Sequence, residues 1–451
     1  LSLFILIFMA IINLIAVLGP ELGFDALFYH LTLPKLYLWQ GRWYYPGLLY
    51  ISAMPRLAET LYIPALKFFG TQGPKLIQYF SGLFASLLTY KLTKMFSSKG
   101  IAITAALLFY NTWLVSWQSG SAYIDLVRTA LELSAIYFIA QDKKYKLLNL
   151  QIPNWLLSGI FFGLAIGTKW HALASLLLAG LIFNPLIVPV ALLVASPWFY
   201  LAFHFTGNPL YPLLETSVTQ SQISQVPSNF YHFLQIIKRL ILSPIFIGKP
   251  YDTLINPLFA FIFPVGLYMS IKNNSNLLKK ICLYTLASIV VWQLIPPPSG
   301  RYMLQVLPLI ALISSQALKV KKTAYKNLFV TLILLTTFLI SVGRLWANSK
   351  FLSVILGQQS KNQFLTSQSA RLPDTFIDSD SWVENNLNPN RKVLVKNLHN
   401  LYYMPISFDH QSWADKNYSY PYLITKNQNP ENVEGKLLHT NSLGIQVFKI
   451  N

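Results

Sequence analysis

Residues 1–346 contain only eight acids, Glu21, Asp25, Glu59, Asp125, Glu132, Asp142, Glu215 and Asp252. Each is therefore a candidate for chemistry. Asp25 stands in "GFDALFYHLTLP", with Tyr29 and His30 close behind it. In a helix, Tyr29 shares the Asp25 face at i, i+4, Glu21 at i−4 offers a carboxylate pair with Asp25, and His30 turns away. A carboxylate so placed can act as general base toward an acceptor hydroxyl. The structural alternative is a helix-start acid answering the macrodipole after Gly19-Pro20. Further along, "SGSAYIDLVRTALELSAIY" sets Asp125, Arg128 and Glu132 on one helical face as an acid-base-acid ladder. Asp125 is read toward the site, with capping by Ser121 as its alternative, and Arg128 with Glu132 toward mutual pairing.

Two cations complete the candidates. Lys169 closes "GIFFGLAIGTKWHAL" and either snorkels to an interface or neutralises a lipid phosphate. Arg301, in "PPPSGRYMLQVLP", carries the planar fork that suits phosphate, and Tyr302 beside it reads as an interfacial aromatic. Glu59, in "MPRLAETLYIP", is open to two readings, a divalent-metal ligand or a loop-positioning acid. The single cysteine, Cys282, excludes an intrachain disulfide, and the seven histidines show no HxxxH spacing. A metal site would have to be built from His and carboxylates.

The elements that position these residues are apolar. The chain has 451 residues, 54% hydrophobic and 11% charged, against about 25% charged in soluble domains. Eleven runs approach the roughly 20 apolar residues that a bilayer-crossing helix needs. They lie at about 1–18, 75–96, 100–118, 121–141, 153–169, 171–184, 186–204, 255–271, 280–296, 302–318 and 327–346. The boundary between the sixth and seventh falls at Asn184-Pro185. The first run opens at Leu1 without a basic leader, so it reads as a span lacking its start, or a non-AUG start, rather than a signal peptide. Gly159, Gly163 and Gly167 recur every four residues and predict a smooth face for close helix packing.

Lysines orient the spans. Lys91, Lys94 and Lys99, then Lys143, Lys144 and Lys146, then Lys272, Lys279 and Lys280, then Lys319, Lys321, Lys322 and Lys326 fall on alternate loops, which are expected to be cytoplasmic. The net charge of +19 is thereby explained without nucleic acid as a partner. The other face carries the loops 19–74 and 205–254 and most of the acids. The stretch "YHFLQIIKRLILSPIF" in the second loop is amphipathic and suits a membrane surface. After the membrane module, 1–346, residues 347–369 read as a linker and 370–451 as a small extracytoplasmic α/β domain, with strands in "RKVLVKN", "YPYLITK" and "LGIQVFKI".

Several of these stretches, in order, resemble the GT-C glycosyltransferases, integral-membrane enzymes that use polyprenyl-phosphate-linked sugars. The resemblance rests on "GFDALFYHLTLPKLYLWQGRW", "SGSAYIDL", "GLAIGTKW", "SPWFYLAFHFTGNPLYPLL" and "SGRYMLQVLP", together spanning most of 19–320. It is strongest toward the bacterial branch similar to protein O-mannosyltransferases and aminoarabinose transferases. The resemblance implies an all-α polytopic membrane fold of about 11 spans around an outward-facing cavity. It implies a catalytic first-loop acid, matched by Asp25, and a second outer-loop acid, matched by Asp125. A further loop carboxylate in relatives is matched by Glu59. Lys169 and Arg301 match recurring basic positions, and their phosphate-binding role is an extension from residue type. His30 is expected to orient donor or loop, or to make a structural hydrogen bond. The chain departs from oligosaccharyltransferases in lacking a WWD motif, and from eukaryotic-type O-mannosyltransferases because Ala26 follows Asp25.

The expected activity is transfer of a hexosyl or pentosyl group from a lipid-phosphate donor to a hydroxyl of a lipid, glycan or protein. It would take place at the outer face of a bacterial cytoplasmic membrane, with inversion as the expected stereochemistry. A membrane transporter or lipid flippase is the alternative, motivated by Arg128 and Glu132 inside a span. A non-catalytic scaffold retaining the fold is the other.

Overall fold

A computed structural model of the chain describes residues 1–141, 145–147, 150–212, 256, 258–294, 300–428 and 433–450. Every apolar run contains a helix. In chain order these are α1 (Ser2–Leu18), the loop helices α2 (Thr32–Gln40) and α3 (Leu57–Phe69), then α4 (Gln72–Lys94), α5 (Lys99–Tyr110), α6 (Trp113–Gln118) and α7 (Asp125–Ile139). A hairpin of β1 (Tyr145–Leu147) and β2 (Leu150–Ile152) precedes α8 (Asn154–Thr168), α9 (Ala172–Ile182) and α10 (Ile187–Thr206). Then come α11 (Phe259–Ile271), α12 (Asn276–Leu294), α13 (Leu307–Ser315) and α14 (Thr323–Ser349).

By length and composition, two described helices, α10 and α14, are each long and apolar enough to cross a membrane, and six shorter apolar helices accompany them. The run 100–118 is two helices, not one. Asn111 ends α5 and donates to Ser341 Oγ on α14 at 2.9 Å, so the break is satisfied by a neighbouring helix. Helices α9 and α10 separate at the expected Asn184-Pro185 step. The bundle turns apolar side chains outward as well as inward: Phe4, Leu181, Leu193 and Trp346 are all strongly exposed. Water does not favour such an exterior, whereas lipid does. The amphipathic stretch of the second loop lies outside the described residues.

The glycine face does what its spacing predicts. A Cβ on Gly163 would lie 2.5 Å from Val194 Cβ and 2.6 Å from the Ala191 carbonyl, and one on Gly159 would lie 2.7 Å from Val190 Cβ. Glycine is thus what lets α8 lie against α10, and α8 in turn packs on α7. Those contacts set where Lys169, just past the end of α8, meets the start of α7.

Short helices at Leu352–Ile355 and Lys361–Ser367 occupy 347–369. Five strands follow: β3 (Val393–Val395), β4 (Phe408–His410), β5 (Tyr422–Lys426), β6 (Lys436–Thr440) and β7 (Ile445–Lys449). Their order is β4-β3-β5-β7-β6, with β3 parallel to β4 and β5, and β7 antiparallel to β5 and β6. The expected strands are β3, β5 and β7. The other two escape a periodicity reading because β4 has three residues, all buried, and β6 is an exposed edge.

The sheet does not close on itself. Leu33, Leu36 and Tyr37 of α2 share one apolar core with Val393, Val395, Phe408, Ile424 and Val447. Lys35 bolts the contact by donating to the carbonyls of Tyr402 and Met404 at 2.7 and 2.6 Å. Burial and the nearby Lys361 push the Lys35 ammonium down to about 7. Tyr403 Oη donates to the Glu21 carbonyl at 2.8 Å. The C-terminal sheet therefore holds down the loop that carries Asp25.

Gly163→Val is expected to lower stability by about 1–3 kcal/mol through overpacking against α10. Gly100→Ala, where an added Cβ meets nothing within 4 Å, should be neutral or stabilising by up to about 1 kcal/mol. Thermal melts of both purified variants in detergent check the pair.

Candidate active site

Asp125 is the first residue of α7 and is 2% exposed. Its Oδ1 accepts from Lys169 Nζ at 2.8 Å. Its Oδ2 accepts from Gln118 Nε2 at 2.9 Å and from Arg301 Nη2 and Nε at 3.1 and 3.2 Å. A buried carboxylate with this many charge-assisted partners is an anchor, held ionised by two cations.

Arg301 also reaches the first loop, where Nη1 donates to Asp25 Oδ2 at 2.6 Å. The guanidinium lies over the Tyr123 ring, 4.5 Å from its centroid. Residues 276 apart in sequence are thus paired, and Arg301 bridges the two aspartates. The Asp25 side chain keeps 25% of its surface exposed, against 3% for Asp125. Asp25 is therefore the carboxylate that can meet a substrate.

The backbone around Asp25 is not the regular α-helix of the sequence reading. Ala26–His30 is a π-turn, closed by Leu31 N–H donating to the Ala26 carbonyl at 2.9 Å. Glu21 precedes the helix and does not pair with Asp25. Its Oε1 accepts from Leu22 N, Gly23 N and Ser121 Oγ at 2.9, 2.7 and 2.7 Å, and its Oε2 from Ala122 N at 2.7 Å. Glu21 is a strap between the first loop and the segment leading into α7. Ser121 is consumed by that strap and does not cap Asp125.

Tyr29 sits beside this cluster. Burial first, then the Asp25 carboxylate, raises its phenol well above the ordinary tyrosine value, so it remains a donor. His30 Nδ1 lies 2.6 Å from Glu59 Oε1, both side chains being buried, and the His30 and Tyr29 rings are 4.0 Å apart. His30 is the last residue of the π-turn, and Glu59 of α3 meets it there. Among the described residues, no group of three or more His, Cys, Asp or Glu side chains is placed to hold a metal ion. Glu59 thus appears with a histidine partner but without a third ligand of that kind. Tyr302 walls the Lys169 side, its ring 5.1 Å from Nζ and stacked on His171 at 4.5 Å, with Trp292 stacked beyond.

The structure brings Asp25, Asp125, Lys169 and Arg301 into one cluster of two acids and two bases, with Tyr29 and Tyr302 alongside. It separates the other charges. Arg128 Nε pairs with Glu132 Oε1 at 2.5 Å, so the expected ladder splits into that pair and Asp125. Lys169 turns inward to Asp125 and does not snorkel. Sequence reasoning missed Gln118, which holds Asp125, and Tyr123, which carries Arg301. Tyr123 stands two residues before Asp125 in a motif already singled out, the one local signal pointing to it.

No protein-family model matches the chain, and no curated protein sequence does either. Solved structures do. The fold is similar to that of ArnT from Cupriavidus metallidurans bound to undecaprenyl phosphate, at TM-score 0.67 and 12% identity over 99% of this chain and 98% of that one. The apo state of the same protein gives 0.64 and 13%, with the same coverage. The archaeal oligosaccharyltransferase AglB from Archaeoglobus fulgidus, in complex with an inhibitory peptide and a dolichol-phosphate, gives 0.52 and 13% over 94% of this chain and 69% of that one. The mostly helical architecture with a small C-terminal sheet is therefore a shared GT-C fold.

Proposed function

We propose that the chain is an integral-membrane glycosyltransferase that moves a sugar from a polyprenyl-phosphate donor to a hydroxyl acceptor. The observation that carries this reading is the Asp25–Arg301–Asp125–Lys169 cluster, a neutral group of two acids and two bases with one accessible carboxylate. It is supported by the shared fold with ArnT and AglB, which were solved with undecaprenyl phosphate and dolichol-phosphate respectively. The cluster sits at the end of the bundle opposite Lys91 and Lys94, in the last turn of α4. This supports a reading in which the chemistry lies on the outer face of a cytoplasmic membrane crossed about eleven times, with the C-terminal sheet on the same side.

The roles follow from the geometry. Arg301 and Lys169 offer donors to the donor phosphate, and Asp125 fixes both in place. At rest the Asp25 carboxylate is engaged by Arg301, whose Nη1 donates to its Oδ2. A phosphate that draws Arg301 toward itself releases Asp25. Asp25 then takes the acceptor O–H proton, the acceptor oxygen attacks the anomeric carbon, and the bond from that carbon to the phosphate oxygen breaks. The phosphate leaves with the electron pair, its charge met by Arg301 and Lys169. Attack opposite the leaving group inverts the anomeric carbon. The Tyr29 phenol, kept protonated, lies beside Asp25 to hydrogen-bond the incoming substrate. Glu59 holds the π-turn through its last residue, His30. The Arg128–Glu132 pair is buried within α7, and the charges that suggested a transport pathway counter each other there.

Sugar transfer in proteoliposomes tests this, with a panel of polyprenyl-phosphate sugars as donors and native membrane extract as acceptor. Asp25→Asn should fold and insert like wild type and lose about 10²–10⁴ in rate. Equal transfer would remove Asp25 as the base. Arg301→Gln should lose about 10²–10³ in turnover, with weakened donor affinity as well. If only its thermal stability falls, the phosphate role is wrong.

A further inference from the structure

A cavity of about 790 Å³ opens where the end of α1, the start of α4, the end of α14 and the residues around 370 meet. Tyr123 lines it, but Asp25, Asp125, Lys169 and Arg301 do not. Four cations do, Lys75, Arg344, Lys350 and Arg371, against one acid, Glu21. The Glu21 carboxylate is already engaged by Ser121 and by the backbone N–H groups of Leu22, Gly23 and Ala122. Among the described residues, none of the four cations makes an ion pair.

Their donors differ in availability. Lys75 Nζ is spent on the carbonyls of Ala16 and Gly19, at 2.6 and 2.7 Å, and contributes charge to the cavity floor. Arg344 is 4% exposed, and its Nη2 donates to Asn348 Oδ1 at 2.9 Å. Its Nε is buried with no hydrogen-bond partner. A buried guanidinium N–H left unsatisfied is costly and marks a place where an acceptor belongs. Lys350 is half-buried and Arg371 exposed at the rim. Lys350 feels its neighbours: burial, then Arg371 and Arg344, push its ammonium down to about 8. Like charges crowded without a counterion are stabilised by an anion.

The apolar surroundings say which anion. Phe24, which lines the cavity, is 44% exposed, and Leu345 of α14, on the flank next to the lining residues Arg344 and Asn348, is 39% exposed. A ligand with its charge among the cations would lay any acyl chain on this face. We propose that this cavity binds the phosphate of an anionic lipid headgroup, at a site separate from the Asp25–Arg301 cluster. The inference rests on the cavity's own charges and does not depend on the transferase reading.

Isothermal titration calorimetry on the purified full chain, in nonionic detergent and phosphate-free buffer, tests it. The probes are dihexanoyl phosphatidic acid, dihexanoyl phosphatidylcholine and inorganic phosphate. Phosphatidic acid should bind wild type, bind the Lys350→Gln/Arg371→Gln double variant about tenfold more weakly or worse, and bind Arg301→Gln unchanged. The single variant Arg371→Glu, at an exposed side chain, should weaken binding in the same direction and guards against misfolding of the double variant. Phosphatidylcholine should bind far more weakly than phosphatidic acid. Inorganic phosphate should also bind more weakly, by about tenfold or more, because it lacks the chains that meet α14. Equal affinity of wild type and the double variant, or loss only in Arg301→Gln, would overturn the site. Equal binding of inorganic phosphate and phosphatidic acid would overturn the lipid assignment in favour of free phosphate.

Discussion

The guanidinium of Arg301 lies between two aspartates, and the rest of the molecule is arranged so that it can. Its partners come from the first loop and from the start of α7, while Lys169, just past α8, completes the cluster. None of these charges is tolerable alone in a largely dehydrated setting, because an uncompensated buried ion costs several kcal/mol or more. Each element must therefore end at the same height in the bundle. The close α8–α10 contact, the α7–α8 packing and the Glu21 strap are the means.

The same arrangement gives the cluster a resting state and a use. Asp125 is enclosed and saturated with donors, so it fixes positions. Asp25 is partly exposed and held through Arg301, so a competing anion can change its state. Under the proposed function, a neutral cluster with a movable counterion suits a donor phosphate that arrives bonded to a sugar and leaves with the electron pair of the bond to the anomeric carbon. The C-terminal sheet contributes from outside by sharing a core with α2 and pinning the loop, which limits how far Asp25 can drift.

Much of this was legible in the sequence. Scarcity of acids identified Asp25, Asp125 and Glu59, and residue type identified Lys169 and Arg301, because charges in an apolar chain are costly and seldom incidental. Apolar run length found the helices, and the Gly159, Gly163, Gly167 spacing found a packing face. What escaped was pairing. Nothing local ties Arg301 to Asp25 or His30 to Glu59, since those contacts are made by the fold. Helical-wheel reasoning failed where the backbone is not a plain α-helix: the π-turn and the non-helical lead-in free Glu21 from Asp25 and send it to Ser121 and Ala122. The Asp125, Arg128, Glu132 face divided as it was read, Asp125 joining the cluster and Arg128 pairing with Glu132. A better partner from another segment, Lys169, was available to Asp125, leaving Arg128 to Glu132.

The most direct test of the central claim is a cryo-EM structure of the full chain with undecaprenyl phosphate bound. The account predicts phosphate oxygens within hydrogen-bonding reach of Arg301 and Lys169, with Arg301 drawn off Asp25 and Asp125 still holding both cations. A phosphate bound elsewhere, with the Asp25–Arg301 and Asp125–Lys169 pairs unchanged, would contradict it.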